Sequence, residues 1–185
     1  MIERVDRRGC ELLVVCTGNA ARSVMAGIML EQLASETGTD LHVVTAGTHA
    51  LEGRPMSQRT REALERLEGL RDLDLRAHRS RQLTESDLSG ADVVIGMEVD
   101  HVLYVRTRHE SAAWKTGLFQ TLAREIPPGP TPLDQKIKLL DLDHVDLDPR
   151  DDVADPAGRD ADAYDECAVK LWELSEQLIW RLIGG

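Results

Sequence analysis

Cys16 and Arg22, six positions apart, bracket the segment Cys16-Thr17-Gly18-Asn19-Ala20-Ala21-Arg22-Ser23. The spacing alone says little; its setting says more. A continuous apolar run, Leu12-Leu13-Val14-Val15, comes immediately before it and suits a strand buried on both faces. A helical pattern opens at Ser23 immediately after it. A strand that turns through Gly and Asn into a helix start wraps backbone N–H groups round a concavity, which is an anion site. Arg22 adds a planar fork for two oxygens of a tetrahedral oxyanion. The same surroundings favour the thiolate of Cys16, and a thiolate facing a bound phosphorus atom is a nucleophile for phosphoryl transfer. Gly18 lets the backbone approach a ligand, Asn19 tolerates a left-handed conformation, and Ser23 can donate its hydroxyl proton to the sulfur. Cys16 and Arg22 are thus catalytic candidates. Thr17, Gly18, Asn19, Ala20, Ala21 and Ser23 are candidates for holding substrate.

Expelling an alkoxide or phenoxide needs a proton donor on the side of the phosphorus away from the thiolate. Two Asp-Pro pairs in an acidic stretch compete for this task, Asp148-Pro149 and Asp155-Pro156. Proline biases the preceding residue towards extended geometry and stiffens the loop, which helps to position a carboxylate.

The elements that must hold these groups alternate apolar runs with amphipathic segments, the pattern of an α/β domain with a parallel sheet. Strands are expected at residues 11–15, 41–46, 92–97 and 112–118. The helix from Ser23 ends near Gly38, and a second spans Ser57 to Leu70. Thr84-Glu85-Ser86-Asp87 has the form of a capping box opening a short helix. Another helix starts at Val99, a short amphipathic turn passes through Ile137, Leu139 and Leu140, and a long last helix carries Tyr164, Ala168, Leu171, Leu174, Leu178 and Leu182. The Asp-dense stretch 141–162 reads as a loop of functional length.

The 185 residues fit one domain, 1–185. The net charge of −11 argues against a sequence-blind nucleic-acid binder. No run is long and apolar enough to span a membrane, and the N-terminal MIERVDRRGCELLVV lacks a signal peptide's length and cleavage site. Three cysteines without a CxxC pair argue against a disulfide framework or structural zinc, so the cytoplasm is the default.

The signature V-C-x-G-N-x-x-R-S resembles that of the low-molecular-weight protein tyrosine phosphatases. The resemblance continues in order along the chain. Thr45-Ala46-Gly47-Thr48 is similar to the family's S-A-G-T, His78-Arg79-Ser80-Arg81-Gln82-Leu83 to its H-x-[SA]-R-Q-[LV], Val94-Ile95-Gly96-Met97 to its V-x-x-M, and Asp155-Pro156 to the D-P of its acid loop. The resemblance implies a small doubly wound domain with a four-stranded parallel sheet flanked by helices, the phosphate loop following the first strand. It implies hydrolysis of a phosphorylated protein or small phosphomonoester through a phosphocysteine on Cys16, with no metal or cofactor. Inorganic phosphate or other oxyanions would occupy the loop. The resemblance selects Asp155 as the general acid, and it gives Thr45 and His78 the task of bracing the loop at Asn19. His49 is a solvated loop residue or a neighbour of the substrate.

The chain departs from the family at three places. Ala21 stands where many members carry a second cysteine, so a reversible disulfide cap on Cys16 is absent. Cys10 lies too far along the first strand to replace it, and Cys167 falls on the apolar stripe of the last helix. Ala157-Gly158 replaces the aromatic residues that follow D-P in eukaryote-like members. Ala20 is neither the bulky apolar residue of phosphotyrosine-directed members nor the threonine of phosphoarginine-directed ones. With only six aromatic residues, none near the signature in sequence, a groove for a phosphotyrosine ring has little support. The alternative chemistry is arsenate reduction with an external small thiol. The internal-relay version needs two more cysteines downstream of Cys16, and residues 17–166 contain none.

Overall fold

A computed structural model describes residues 9–70 and 73–183; the charged start of the chain, residues 1–8, lies outside them. Its strands are β1 (Cys10–Cys16), β2 (Leu41–Gly47), β3 (Val93–Gly96) and β4 (Thr116–Leu118). Its helices are α1 (Arg22–Thr37), α2 (Gln58–Arg66), α3 (Glu85–Gly90), α4 (Val99–Arg108), α5 (Phe119–Glu125), α6 (Leu133–Leu139) and α7 (Ala161–Ile183). The strands form one parallel sheet in the order β2-β1-β3-β4.

β1 is central because it is apolar on both faces. Leu12, Val14 and Cys16 point into one core cluster, Leu13 and Val15 into another, the two-residue alternation of a strand. The first cluster takes in Met25 of α1, Leu64 of α2, Leu122 of α5, Ile137 of α6 and Leu171 of α7. The second takes in Leu88 of α3 and Val105 of α4. Helices therefore cover both faces, as a parallel sheet requires. The chain order reverses at β1, which has β2 on one side and β3 on the other. In such sheets a crevice opens at the carboxyl ends of the strands where the order reverses. Cys16 stands at that point, in register with Gly47 of β2, and Val15 is in register with Gly96 of β3.

Local signals in the sequence act as their chemistry dictates. Gly38 closes α1 at φ 66°, its N–H returning to the last turn. Thr84 and Asp87 form both bonds of a capping box at α3. Three expectations need correction. The strand expected over residues 112–118 is extended only at Thr116–Leu118, and Glu110–Lys115 winds as a 3-10 turn. The four residues of β3 supply partners for just three residues of β4, and the Thr116 hydroxyl donates back to the Ala112 carbonyl at 2.7 Å. The segment Ser57 to Leu70 is not one helix: α2 stops at Arg66, Leu67 is extended, and Glu68–Leu70 is a 3-10 turn. Gly69 there lies so close to Trp172 of α7 that a Cβ would come within 3.2 Å of the indole. Finally, the stretch 141–162 contains a 3-10 turn at Pro149–Asp151 and already enters α7 at Ala161. No helix among the described residues is long and apolar enough to cross a membrane.

Candidate active site

The chain leaves β1 at Cys16 and reaches α1 through Thr17–Ala21. Four carbonyls, those of Cys16, Thr17, Asn19 and Ala20, are bonded to neighbouring segments. Cys16 O accepts from the Thr48 N–H at 2.9 Å and Thr17 O from the His49 N–H at 2.9 Å. His78 Nε2 lies 2.9 Å from Asn19 O, and the Thr60 hydroxyl donates to Ala20 O at 3.0 Å. With these carbonyls turned outward, the peptide planes present their N–H groups to the inside of the loop, a nest for an anion. The left-handed residue is Asn19, at φ 49°. A non-glycine residue is held there only when its surroundings over-determine it. Asn19 is fully buried; its amide donates to Ser23 Oγ at 3.0 Å and Thr45 Oγ1 at 2.9 Å, and its Oδ1 accepts from the Arg81 N–H at 3.0 Å.

Two glycines allow these approaches. A Cβ on Gly47 would stand 2.6 Å from Thr17 O and 3.0 Å from Asn19 N, so the loop passes directly against the end of β2. A Cβ on Gly27 would stand 2.5 Å from Thr45 Cγ2, so α1 lies close enough to β2 for Thr45 to reach Asn19. At Gly18, by contrast, a Cβ would meet nothing within 4 Å.

Cys16 Sγ lies 3.0 Å from Ser23 Oγ. The Asn19 amide nitrogen can only donate, so Ser23 Oγ accepts from it and its own proton is directed to the sulfur. That arrangement offers the sulfur a hydrogen-bond donor. The other two cysteines are different: burial pushes the Cys10 and Cys167 thiols up to about 12, in Cys10 with help from Asp92, Glu11 and Asp40. Both are neutral at physiological pH.

Arg22 is 1% exposed in the first turn of α1. Its Nη1 donates to the Val153 carbonyl at 2.9 Å and contacts Glu98 Oε2 at 2.7 Å; its Nη2 donates to Asp155 Oδ2 at 2.7 Å. The segment that carries Asp155 reaches the guanidinium because it is moored to the end of β3. Val153 N–H donates to Met97 O at 2.7 Å, and Asp152 Oδ1 accepts from the Val99 N–H at 2.8 Å. Asp155 Oδ1 also accepts from the Ala157 N–H at 3.0 Å, which fixes its rotamer. The competing Asp148 caps the 3-10 turn instead and pairs with Arg150, which holds its carboxyl down at about 2.

The structure thus brings Cys16, Arg22, Asp155, Asn19, Ser23, Thr45 and His78 together. Ala20 and Ala21 line the loop as partly buried methyl groups. His49 is exposed beside the loop mouth, its ring 5.7 Å edge-on from that of Tyr104 in α4, so an aromatic residue distant in sequence stands at the site. Sequence reasoning missed Tyr104, Glu98 and His101. Glu98 is the second carboxylate on Arg22, and His101 Nε2 lies 3.0 Å from Thr17 Oγ1. A usable signal existed: Glu98 and His101 sit three apart at the start of the helix that follows the β3 strand end, and they cap one another.

Fold and site together define a class, the small doubly wound α/β proteins with a cysteine-to-arginine loop at the end of the first strand. The model for low molecular weight phosphotyrosine protein phosphatase matches residues 11–126, and the chain belongs to that family. A probable low molecular weight protein-tyrosine-phosphatase, EpsP of Ralstonia nicotianae, is 36% identical over 106 residues, covering 57% of this chain and 66% of the relative. The match therefore spans just under two thirds of that relative's length. The protein-arginine-phosphatase of Bacillus subtilis is 27% identical over 172 residues, 93% of this chain and 96% of the relative. The crystal structure of a low molecular weight protein tyrosine phosphatase from T. tengcongensis superposes with a TM-score of 0.73 at 28% identity, over 92% of this chain and 97% of that one.

Proposed function

We propose that the protein hydrolyses phosphomonoesters through a phosphocysteine. The observation that carries this reading is the chain of bonds from Asn19 through Ser23 to Cys16 Sγ, inside a loop four of whose carbonyls are bonded to neighbouring segments. In the first step the Cys16 thiolate attacks phosphorus, the S–P bond forms and the ester P–O bond breaks. The departing oxygen takes a proton from the Asp155 carboxyl group. In the second step water attacks phosphorus and gives a proton to the Asp155 carboxylate, the S–P bond breaks, and inorganic phosphate leaves. Arg22 and the loop amides hold the charge that spreads over the phosphoryl oxygens in both steps. Asp155 pairs with Arg22. An arriving dianion competes for that guanidinium and frees Asp155 to turn towards the ester oxygen.

The substrate is a phosphorylated protein or a small phosphomonoester. Relatives named for phosphotyrosine and for protein arginine phosphate both match this chain, and Ala20 leaves the loop wall narrow of side chain. The named relatives favour phosphatase chemistry over the thiol-dependent reduction of arsenate. Steady-state and burst kinetics with a series of aryl phosphates test the reading. Cys16→Ser is expected to abolish turnover and retain oxyanion binding. Asp155→Asn is expected to slow cleavage about 10²–10⁴-fold, most for esters with poor leaving groups. Turnover surviving in Cys16→Ser, or thiol-dependent arsenite production by a wild type that hydrolyses no ester, would overturn it.

A further inference from the structure

His101 lies in the first turn of α4 and is 3% exposed. Its ring is held from two sides. The Glu98 backbone N–H, which can only donate, stands 3.0 Å from Nδ1. Nδ1 therefore presents its lone pair, and a neutral ring carries its proton on Nε2. Burial, then the Arg22 guanidinium, pushes the imidazole down to about 4 against the opposing pull of Asp100 and Asp155, so the ring is uncharged at neutral pH. Nε2 lies 3.0 Å from Thr17 Oγ1 and 3.8 Å from Glu98 Oε2. The second distance is too long for a hydrogen bond, and that carboxylate is engaged with Arg22. The Nε2 proton thus goes to the Thr17 hydroxyl, which accepts it and keeps its own proton to give elsewhere. Thr17 is the exposed residue of the loop. A phosphate group held by the loop amides would turn its ester side to the open mouth, where Thr17 stands.

We infer that His101 is a positioning residue: its Nε2–H fixes the Thr17 hydroxyl as an acceptor towards the protein and so as a proton donor towards the ester-side oxygen of a phosphate group in the loop. The inference rests on the phosphatase reading for its kinetic consequence but not for its geometry. One residue thereby joins both ends of the loop, holding Thr17 directly and sharing Glu98 with Arg22.

The test combines variants with two readouts, kinetics on an aryl phosphate and calorimetric binding of inorganic phosphate. Thr17→Val and His101→Asn are each expected to lower kcat/KM about fivefold to tenfold, the loss of one hydrogen bond. The double variant is expected to fall no further than the weaker single one, because both changes remove the same donor. His101→Gln, whose amide N–H reaches the place of Nε2, is expected to retain more activity than His101→Asn. The asparagine carbonyl still accepts the Glu98 N–H but stops short of Thr17. A capping role alone predicts the reverse order. Nitrogen-15 NMR of the folded wild type at neutral pH is expected to show the Nε2–H tautomer.

Multiplying losses in the double variant, asparagine outperforming glutamine, or an Nδ1–H tautomer each overturns the inference. If His101→Asn does not fold, Thr17→Ser against Thr17→Val decides, with activity kept by serine and lost by valine. If the wild type turns over no ester, the phosphatase reading fails. The inference then stands or falls on whether Thr17→Val weakens phosphate binding about fivefold.

Discussion

Ser23→Ala removes one oxygen that serves two partners. In the wild type that oxygen is fully buried, lies 3.0 Å from Cys16 Sγ and receives the Asn19 amide at 3.0 Å. A hydrogen bond to a charged group is worth about 1.5–3 kcal/mol, and tenfold in rate corresponds to about 1.4 kcal/mol. In the proposed mechanism the thiolate is the attacking group in the first step and the leaving group in the second. Both steps are thus expected to slow by roughly 10–100-fold. The Asn19 amide keeps its bond to Thr45 but loses its other acceptor, which costs about 1–3 kcal/mol of stability for a buried unpaired donor. Thr45→Val is the control. It strips the other acceptor from the same amide and is expected to lower stability by a similar amount, while leaving the Ser23–Cys16 contact in place. Burst kinetics on an aryl phosphate, with denaturant unfolding of each variant, separates the two effects. Equal losses of kcat/KM in Ser23→Ala and Thr45→Val at equal stability would refute a specific role for the hydroxyl at the sulfur.

Gly47→Ala places a methyl carbon 2.6 Å from Thr17 O and 3.0 Å from Asn19 N, so the loop must move away from β2. Overpacking of this kind costs about 1–3 kcal/mol, and calorimetry is expected to show weakened phosphate binding together with a lowered Tm. The buried imidazole of His101 gives a pH signature. Its folded-state value of about 4 lies below the ordinary 6.5, so the unfolded chain takes up the proton first as pH falls. That residue's share of stability is intact above pH 6.5 and is lost between 6.5 and about 4. At about 1.4 kcal/mol per unit the loss approaches roughly 3 kcal/mol. The difference in unfolding free energy between wild type and His101→Gln, followed over that window, is expected to shrink by this amount as the pH is lowered. A constant difference would show that the ring does not titrate out of a buried neutral state.

Much of the fold was legible because its signals are local. Residues 11–15 announce a doubly buried strand by their unbroken apolar run, Gly38 ends α1, and Thr84 with Asp87 opens α3. The misreadings came where tertiary pairing overrode local pattern. β4 could extend no further than its partner β3, and close packing of Gly69 on Trp172 accompanies the break after α2. The pairing of His49 with Tyr104 was likewise invisible, since the loop after β2 and helix α4 are 55 residues apart and meet only in the folded chain.

By itself the sequence determined the loop: Cys16, Asn19, Arg22 and Ser23 lie within eight consecutive positions, and the bonds from Asn19 through Ser23 to Cys16 need little beyond a strand end and a helix start. The tertiary structure decided which distant residues complete it. Asp155 reaches Arg22 while Asp148 does not, and Glu98 and His101 close on Arg22 and Thr17, because β1 and β3 are neighbours whose carboxyl ends are in register. Such partners, separated by 76 to 133 residues, are set by strand order and loop mooring. Neither leaves a periodic or nearest-neighbour trace in the chain.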